Sequence, residues 1–243
     1  MEIPILYEDD GMIAVDKPGG VVVNKSENTK TIETLQDWSS RRLSIDKSED
    51  LTDDFSQRGG IVHRIDKDTS GIVLIAKKPD IFYLLQSQFK DRTVEKKYTA
   101  LVHGLIPDVS STIKAPVGRL PWNRRKFGVI PDGRPAETSY TVTSYYKDSY
   151  DHYTLVDVLP HTGRTHQIRI HFKHTGHALV GDSLYAGSEV YDRDRQWCSR
   201  LFLHARYLGF DNPVTHERIV IQSPLPEDLS SALRKLQPDD YSR

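Results

Sequence analysis

Short apolar runs separated by turns dominate the pattern of hydrophobic positions along the chain. Residues 3–7 and 12–15 form two such runs, joined through Asp10-Gly11, a dipeptide typical of a β-hairpin turn. A third run, Ile72-Val73-Leu74-Ile75-Ala76, is apolar throughout and predicts a strand from Ile72 to Lys77. Further strands are predicted at residues 94–103, 137–146, 153–159, 201–210 and 218–221.

Apolar residues at helical spacing occur in fewer places. Residues 31–43 carry Ile32, Leu35 and Trp38 at intervals near 3.6 and predict a helix. Two further helices are predicted, one beginning at a cap on Asp80 and one over residues 226–236.

Many strands with few helices between them favour one class of fold. We predict an α+β fold, with a mixed, largely antiparallel β-sheet and flanking helices, rather than a doubly wound parallel sheet. No clear boundary divides the chain, so a single domain over residues 1–243 is expected. The acidic, serine-rich stretch 44–57 is predicted to be a mobile loop within it.

The composition is that of a globular protein in a reducing compartment. Charged residues make up 28% of the 243, and no apolar run approaches the roughly 20 residues that span a bilayer. Cys198 is the only cysteine, which excludes an intramolecular disulfide. We therefore expect a cytoplasmic protein without membrane contact, and a monomer because no exposed apolar repeat is evident.

Net charge alone does not predict a nucleic-acid partner, because the formal value is -1. The segment 44–57 holds five carboxylates against one lysine, a local charge of -4, so the rest of the chain carries +3. Basic residues are concentrated at 119–134 and 164–177. This distribution permits RNA binding, although ordinary solvated faces would look the same.

The most informative segment is His63-Arg64-Ile65-Asp66, followed by Lys67-Asp68-Thr69-Ser70-Gly71. It places a carboxylate near a guanidinium in a polar turn, directly before the apolar run that begins at Ile72. A carboxylate at the start of a strand can act as a nucleophile or a base, and a nearby cation keeps it ionised. Taken alone, Asp66 beside Arg64 is more typical of a surface ion pair.

A second polar segment runs Thr162-Gly163-Arg164-Thr165-His166-Gln167-Ile168-Arg169. Thr165 is predicted to cap a helix that ends near Gly176. Ile168 and Phe172 would then face the core, and Arg169 would reach away from it.

Together these segments resemble the signature of the RluA-type pseudouridine synthases, in the order in which that family carries them. The matching segments are 7–9, 16–20, 63–71, 97–104, 163–171, 176–177, 181–185 and 203–205. Only 62 residues precede His63, and they match the start of the family's catalytic core. The resemblance therefore implies a catalytic core without the S4-type RNA-binding domain that many relatives carry, with RNA held in a central cleft of that core.

The resemblance also implies the chemistry and the site. These enzymes isomerise uridine in RNA without a cofactor or a metal, and ribosomal and transfer RNA are both used as substrates. Asp66 matches the catalytic aspartate, Tyr98 the tyrosine that packs against the target base, and Arg169 the cation that pairs with the aspartate. Arg64 matches the arginine that fills the gap left by the flipped uridine. The other polar residues of the two segments are predicted to bind substrate: His63, Thr69, Arg164 and Gln167.

Residues 118–127 interleave basic and aromatic side chains, as a clamp on an RNA stem-loop would. Arg124 and Arg125 are the predicted RNA contacts. A solvated hairpin anchored by Trp122 is an equally good interpretation of the same residues.

Other functions are weaker alternatives. Five of the ten histidines lie between His161 and His177, yet their spacing matches no zinc motif, so no metal is expected. A catalytically inactive RNA-binding protein needs no such carboxylate, tyrosine and arginine set. A glycoside hydrolase normally uses a second carboxylate as its acid, and no partner for Asp66 stands out.

Overall fold

A computed structural model describes residues 1–26, 31–45, 53–121 and 123–241 of the chain. Within these residues the elements are, in order, β1 (Ile5–Glu8), β2 (Met12–Lys17), α1 (Leu35–Arg42), α2 (Asp54–Arg58), β3 (Ser70–Ala76), α3 (Pro79–Asp91), β4 (Glu95–His103), β5 (Ser110–Lys114), β6 (Val117–Leu120), β7 (Asn123–Val129), β8 (Glu137–Lys147), β9 (His152–Pro160), α4 (Gln167–His174), α5 (Ser188–Asp194), β10 (Leu203–Asp211), β11 (Arg218–Gln222), α6 (Glu227–Leu233) and β12 (Gln237–Pro238). They form two compact units. None of the helices in the described segments is long and apolar enough to cross a bilayer.

Unit 1 consists of Met1–Lys96 and Ala205–Ser223. Its strands follow the order β1-β2-β3-β10, with β11 paired to β10, and the pairs β1–β2, β2–β3 and β10–β11 are antiparallel. Every residue of β3 is buried, which explains the apolar run from Ile72 to Ala76. The helix α3 covers this sheet with Ile81, Phe82 and Leu85, which join the core of the unit.

Gly71 explains how closely the strands of unit 1 approach each other at the start of β3. It has φ +116, and a Cβ placed there would lie 2.3 Å from the carbonyl oxygen of Ala205. Only glycine fits such a contact and such a backbone angle. The turn that carries Asp66 therefore leads into a strand packed directly against the backbone of β10.

Unit 2 consists of Lys97–His204 and Pro224–Arg243. Its strands follow the order β4-β9-β8-β12, with β5 paired to β8, and β6 and β7 form a separate antiparallel hairpin. The pairs β4–β9, β8–β9 and β5–β8 are antiparallel. Ile168 and Phe172 of α4 are buried in the core against this sheet, as predicted.

The predicted fold class is confirmed, and most of the predicted strands lie within two or three residues of their observed bounds. Two predicted helix caps are wrong. Lys78 precedes α3, so Asp80 lies in its first turn, and His166 rather than Thr165 precedes α4. Proline is favoured at the first position of a helix, so Pro79 was the better signal for the start of α3.

The predicted mobile loop over residues 44–57 is also wrong in part. Asp53 accepts a hydrogen bond from the backbone N–H of Ser56 and caps α2, which then buries Phe55 in the core of unit 1. Aspartate is one of the residue types preferred at a helix N-cap, a signal that the acidic composition of the segment obscured. Residues 46–52 of the predicted loop lie outside the described residues.

Candidate active site

Asp66 lies in an irregular loop between an isolated bridge, which pairs Ile61 with Ile75, and the start of β3. The buried side chain of Ile65 anchors the loop, while Asp66 is half-buried and Arg64 is exposed. An apolar anchor beside the carboxylate fixes the loop without removing Asp66 from solvent. This placement suits a reactive group better than a core residue.

A fully buried lysine ties the Asp66 loop to the turn that follows β2. Lys17 donates from Nζ to the carbonyl oxygens of Pro18 and Val21, both at 2.8 Å, and of Lys67 at 3.0 Å. The backbone N–H of Gly20 donates to the same Lys67 carbonyl at 2.9 Å. Three carbonyl acceptors satisfy the three donors of an ammonium group, so its burial is compensated. The residue directly after Asp66 is thus held by two hydrogen bonds.

His63 is half-buried, and its ring stacks on Phe89 with centroids 4.5 Å apart. Its Nε2 accepts the backbone N–H of Leu74 at 3.0 Å, which requires a neutral ring protonated at Nδ1. Burial of the ring, and to a lesser extent the charge of Lys96, lowers the pKa of His63 to about 3. These contacts give His63 a part in fixing the loop to β3; its predicted contact with substrate stays a prediction.

Thr69 closes the loop and is 1% exposed. Among the residues that the structure describes, its hydroxyl has no hydrogen-bonding partner. A buried hydroxyl without a partner costs free energy, so its retention next to a candidate catalytic loop points to a role other than stability.

Arg169 is buried in α4 and forms a two-point ion pair with Asp182. Nε donates to Oδ2 at 2.8 Å and Nη2 donates to Oδ1 at 2.7 Å. The guanidinium also lies over the ring of Tyr185, 5.1 Å from its centroid. An arginine on a helix usually carries a solvated charge, whereas the guanidinium of Arg169 is held in the interior of unit 2. Its predicted pairing with Asp66 stays a prediction.

Tyr98 lies near the start of β4, opposite Val158 of β9. Its ring is half-buried and packs against the core that contains Ala100 and Val102. Tyr98, Ala100 and Val102 alternate along β4 and therefore share one face of the strand. A half-buried ring on such a face can present its outer side to a planar base.

Gln167 is buried and its amide is fully used within unit 2. Oε1 accepts the hydroxyl of Thr162 at 2.7 Å and the backbone N–H of Arg164 at 3.0 Å. Nε2 donates to the carbonyl oxygen of Glu137 at 3.0 Å and to the hydroxyl of Thr138 at 2.9 Å. All four positions of the amide are therefore occupied, and Gln167 can act on RNA by fixing Arg164 rather than by touching it. Arg164 is half-buried, and its Nε donates to the carbonyl oxygen of Pro135 at 3.2 Å.

The predicted site residues thus fall into two groups. His63, Arg64, Asp66 and Thr69 share one loop of unit 1, while Tyr98, Arg164, Gln167 and Arg169 belong to unit 2. Arg124 and Arg125 lie in β7 of the hairpin, and their side chains are outside the described residues.

Comparison with known proteins identifies the family of the chain. The family model for RNA pseudouridylate synthase matches residues 11–174. An uncharacterized RNA pseudouridine synthase of Bacillus subtilis is 38% identical over 98% of this chain and 74% of its own length. The chain belongs to the RNA pseudouridine synthase family.

Further relatives agree. The ribosomal large subunit pseudouridine synthase D of Pseudomonas aeruginosa is 36% identical over 98% of this chain and 74% of its own. Among solved structures, human RNA pseudouridylate synthase domain containing 1 is 26% identical, with a TM-score of 0.75 over 98% of this chain and 89% of that one. Members of this family are isomerases with RNA as the expected substrate, which confirms the predicted family and enzyme class.

Lys17 and Asp182 hold the candidate site of this synthase together. The sequence predicted no role for either residue beyond its place in a segment that matches the family. Lys17 stands in a polar stretch where a lysine is normally exposed, and Asp182 lies 13 residues after the arginine that it holds. The sign available in the sequence was a lysine at the end of a strand, Met12–Lys17, whose first four residues are apolar. For Asp182 no pattern of spacing indicates the contact.

Proposed function

We propose that the chain converts specific uridines of ribosomal or transfer RNA to pseudouridine, with Asp66 as the catalytic carboxylate. The reaction breaks the bond between N1 of uracil and the anomeric carbon, turns the base, and joins C5 to the same carbon. The proton on C5 is released and N1 gains one, so atoms and electrons balance without an oxidant or a cofactor. The observation that carries the assignment is the position of Asp66, half-buried on a loop that Lys17 and Gly20 hold through the Lys67 carbonyl.

The other predicted residues take complementary parts in this proposal. Tyr98 packs against the uracil while the base turns, and Arg169 pairs with Asp66 and keeps the carboxylate ionised. Arg64 enters the space that the flipped uridine leaves. Arg164, with His63 and Thr69, holds the nucleotides on either side. Asp66 acts either as a nucleophile or as a base at the sugar, and residue types do not choose between the two.

The buried ion pair within unit 2 supports the part given to Arg169. Its guanidinium is already oriented by Asp182 before any substrate is bound. Preorganised charge stabilises a reacting group without paying for reorganisation during the reaction.

Large-subunit ribosomal RNA is the first substrate to test, because synthases named for that subunit are among the relatives. The proposal includes a monomer in the cytoplasm, the setting that the single cysteine suggested. Single-stranded loops are the expected target sites, since their bases are flipped without first melting a helix.

Tritium release from RNA labelled at C5 of uridine tests the proposal. Wild type, Asp66→Asn and Asp68→Asn are compared on transcripts of ribosomal and transfer RNA. We expect release by wild type and by Asp68→Asn, and none by Asp66→Asn with RNA affinity within a few-fold. Retained turnover in Asp66→Asn would refute the assignment. Release of free uracil would indicate a hydrolase, and binding without either product would indicate an RNA-binding protein.

A further inference from the structure

A cavity of about 460 Å³ lies entirely within unit 2, where the β6–β7 hairpin meets the segment that leads into α4. Three arginines line it, Arg119, Arg134 and Arg164, with Asp132 as the one carboxylate among its lining residues. The cavity is therefore positively charged in a chain whose formal net charge is -1. Of its arginines, only Arg164 has a part in the proposed reaction; Arg119 and Arg134 have none.

Two of the three arginines are held in place by neighbouring groups. Arg119 lies over the ring of Phe127, with its guanidinium carbon 4.9 Å from the ring centroid. Arg164 is fixed through its Nε by Pro135 and through its backbone N–H by Gln167. Such arginines lose little side-chain entropy when an anion binds.

The cavity is linked to Arg169 by a row of ring contacts. Phe127 meets the ring of His166 edge-on with centroids 6.0 Å apart, and His166 is hydrogen-bonded to the Tyr185 hydroxyl at 2.9 Å. Tyr185 in turn lies under the guanidinium of Arg169. His166 has φ 55, a left-handed backbone angle that a histidine adopts only at some cost. A row of rigid rings therefore fixes the distance between the cavity and Arg169.

We propose that this cavity binds one backbone phosphate of the RNA substrate, outside the subsite of the reacting uridine. Guanidinium groups suit the charge and shape of a phosphate, three arginines line this one cavity, and the volume leaves room for the attached ribose. The row from Phe127 to Arg169 then sets how far that phosphate lies from the reacting nucleotide. The inference rests on the proposed function, because it takes the anion from the RNA on which the enzyme acts.

Binding of a short, fluorescein-labelled single-stranded RNA over a salt series tests the cavity. Arg134 is chosen because its side chain is exposed and its removal leaves the packing of Phe127 and Gln167 intact. We expect Arg134→Ala to weaken binding about five- to tenfold and to reduce the slope of log K against log salt by about 0.7, the value for one lost contact to a single strand. Arg134→Lys should keep most of the slope because the charge is retained.

Arg195→Ala is the matched control, since Arg195 is also an exposed arginine of unit 2 and lies outside the cavity. An unchanged slope in Arg134→Ala, or an equal loss in Arg195→Ala, would overturn the proposal. Calorimetry with uridine monophosphate and inorganic phosphate forms the second arm. The proposal would also be overturned if uridine monophosphate or inorganic phosphate bound more tightly than the RNA and lost that binding in Arg134→Ala. The cavity would then be a site for small anions.

The result is independent of the catalytic assignment. Turnover retained in Asp66→Asn would remove Asp66 from its proposed role and leave the salt dependence of binding as it is. An unchanged slope in Arg134→Ala would remove the phosphate site and leave the tritium assay as it is.

Discussion

The carboxylate of Asp182 holds the guanidinium of Arg169 by two hydrogen bonds, at 2.8 and 2.7 Å, in a pair whose side chains are 0% and 4% exposed. Asp182 is itself fixed, because its Oδ1 also accepts the backbone N–H groups of Leu184 at 2.9 Å and Tyr185 at 3.1 Å. The backbone of one turn thus orients a carboxylate, and the carboxylate orients the arginine. Asp182 is a positioning residue for the proposed catalytic cation.

Replacement of Asp182 should therefore cost stability and turnover together. Asp182→Asn keeps the size of the side chain but leaves a buried guanidinium without its counter-charge, a loss of about 3 kcal/mol in the free energy of unfolding. Urea denaturation measures it. Asp228→Asn is the control, because Asp228 pairs with Arg200 at a site where the carboxylate is 43% exposed, and the expected loss is below about 1 kcal/mol. Equal losses in the two variants would contradict the role given to Asp182.

The sequence predicted the strands correctly where one face of a strand, or both faces, are buried. The unbroken apolar run at Ile72 and the pattern from Val94 to His103 predicted β3 and β4 because strand periodicity is set by which side chains meet the core. Helix ends were less predictable. Thr165 has the residue type of a cap, yet His166 occupies that position in a left-handed conformation that no propensity indicates.

For the candidate site, the sequence predicted residues and none of the contacts between them. The order of the motifs pointed to Asp66, Tyr98 and Arg169, whereas the hydrogen bonds that hold them join residues far apart in the chain. Lys17 reaches Lys67 across 50 residues. Gln167 reaches Thr138 across 29. Spacing rules describe neighbours on one helix or strand, so such long-range polar contacts appear only when the chain is folded.

Thr69 offers a test of stability against function within the Asp66 loop. Thr69→Val removes a buried hydroxyl that has no partner among the described residues, and we expect the free energy of unfolding to rise by about 1 kcal/mol. Thermal denaturation and the tritium assay are run on the same variant. If the hydroxyl is retained for substrate, turnover should fall while stability rises.

Thr154→Val is the matched control for Thr69→Val. Thr154 is also fully buried, but its hydroxyl donates to the Gly104 carbonyl at 2.7 Å and accepts the Ile106 N–H at 3.1 Å. Its replacement should lower the free energy of unfolding by about 1–3 kcal/mol. A Thr69→Val variant that is destabilised to the same extent would show that Thr69 has a partner in solution.

Lys17→Met should loosen the Asp66 loop. The change removes three hydrogen bonds to carbonyl oxygens, one of them in the loop itself, where only the Gly20 N–H then remains on the Lys67 carbonyl. We expect a loss of about 3 kcal/mol in stability and a fall in kcat larger than the rise in KM, because the carboxylate is misplaced while RNA still binds. Lys78→Met, at an exposed lysine of the same unit, is the control. A change confined to KM would show that the loop keeps its geometry without Lys17.

The lowered pKa of His63 predicts how the free energy of unfolding depends on pH. The folded-state pKa of about 3 lies below the ordinary value of 6.5, so between these pH values the unfolded chain binds a proton that the folded chain does not. The contribution of His63 to the free energy of unfolding is therefore complete above about pH 6.5 and is lost as the pH falls towards 3. The pKa is low mainly because burial disfavours the charged form of the ring, and secondly because Lys96 is nearby. Protonation would also break the hydrogen bond that Nε2 accepts from the Leu74 N–H. We expect the free energy of unfolding of wild type to fall by up to about 1.4 kcal/mol per pH unit more than that of His63→Gln between pH 6 and pH 4.

Urea denaturation at several pH values measures the difference. His174→Gln is the control for loss of an exposed imidazole. Parallel pH profiles for wild type and His63→Gln would mean that the ring leaves its pocket before it is protonated, and that the Leu74 contact does not hold the loop.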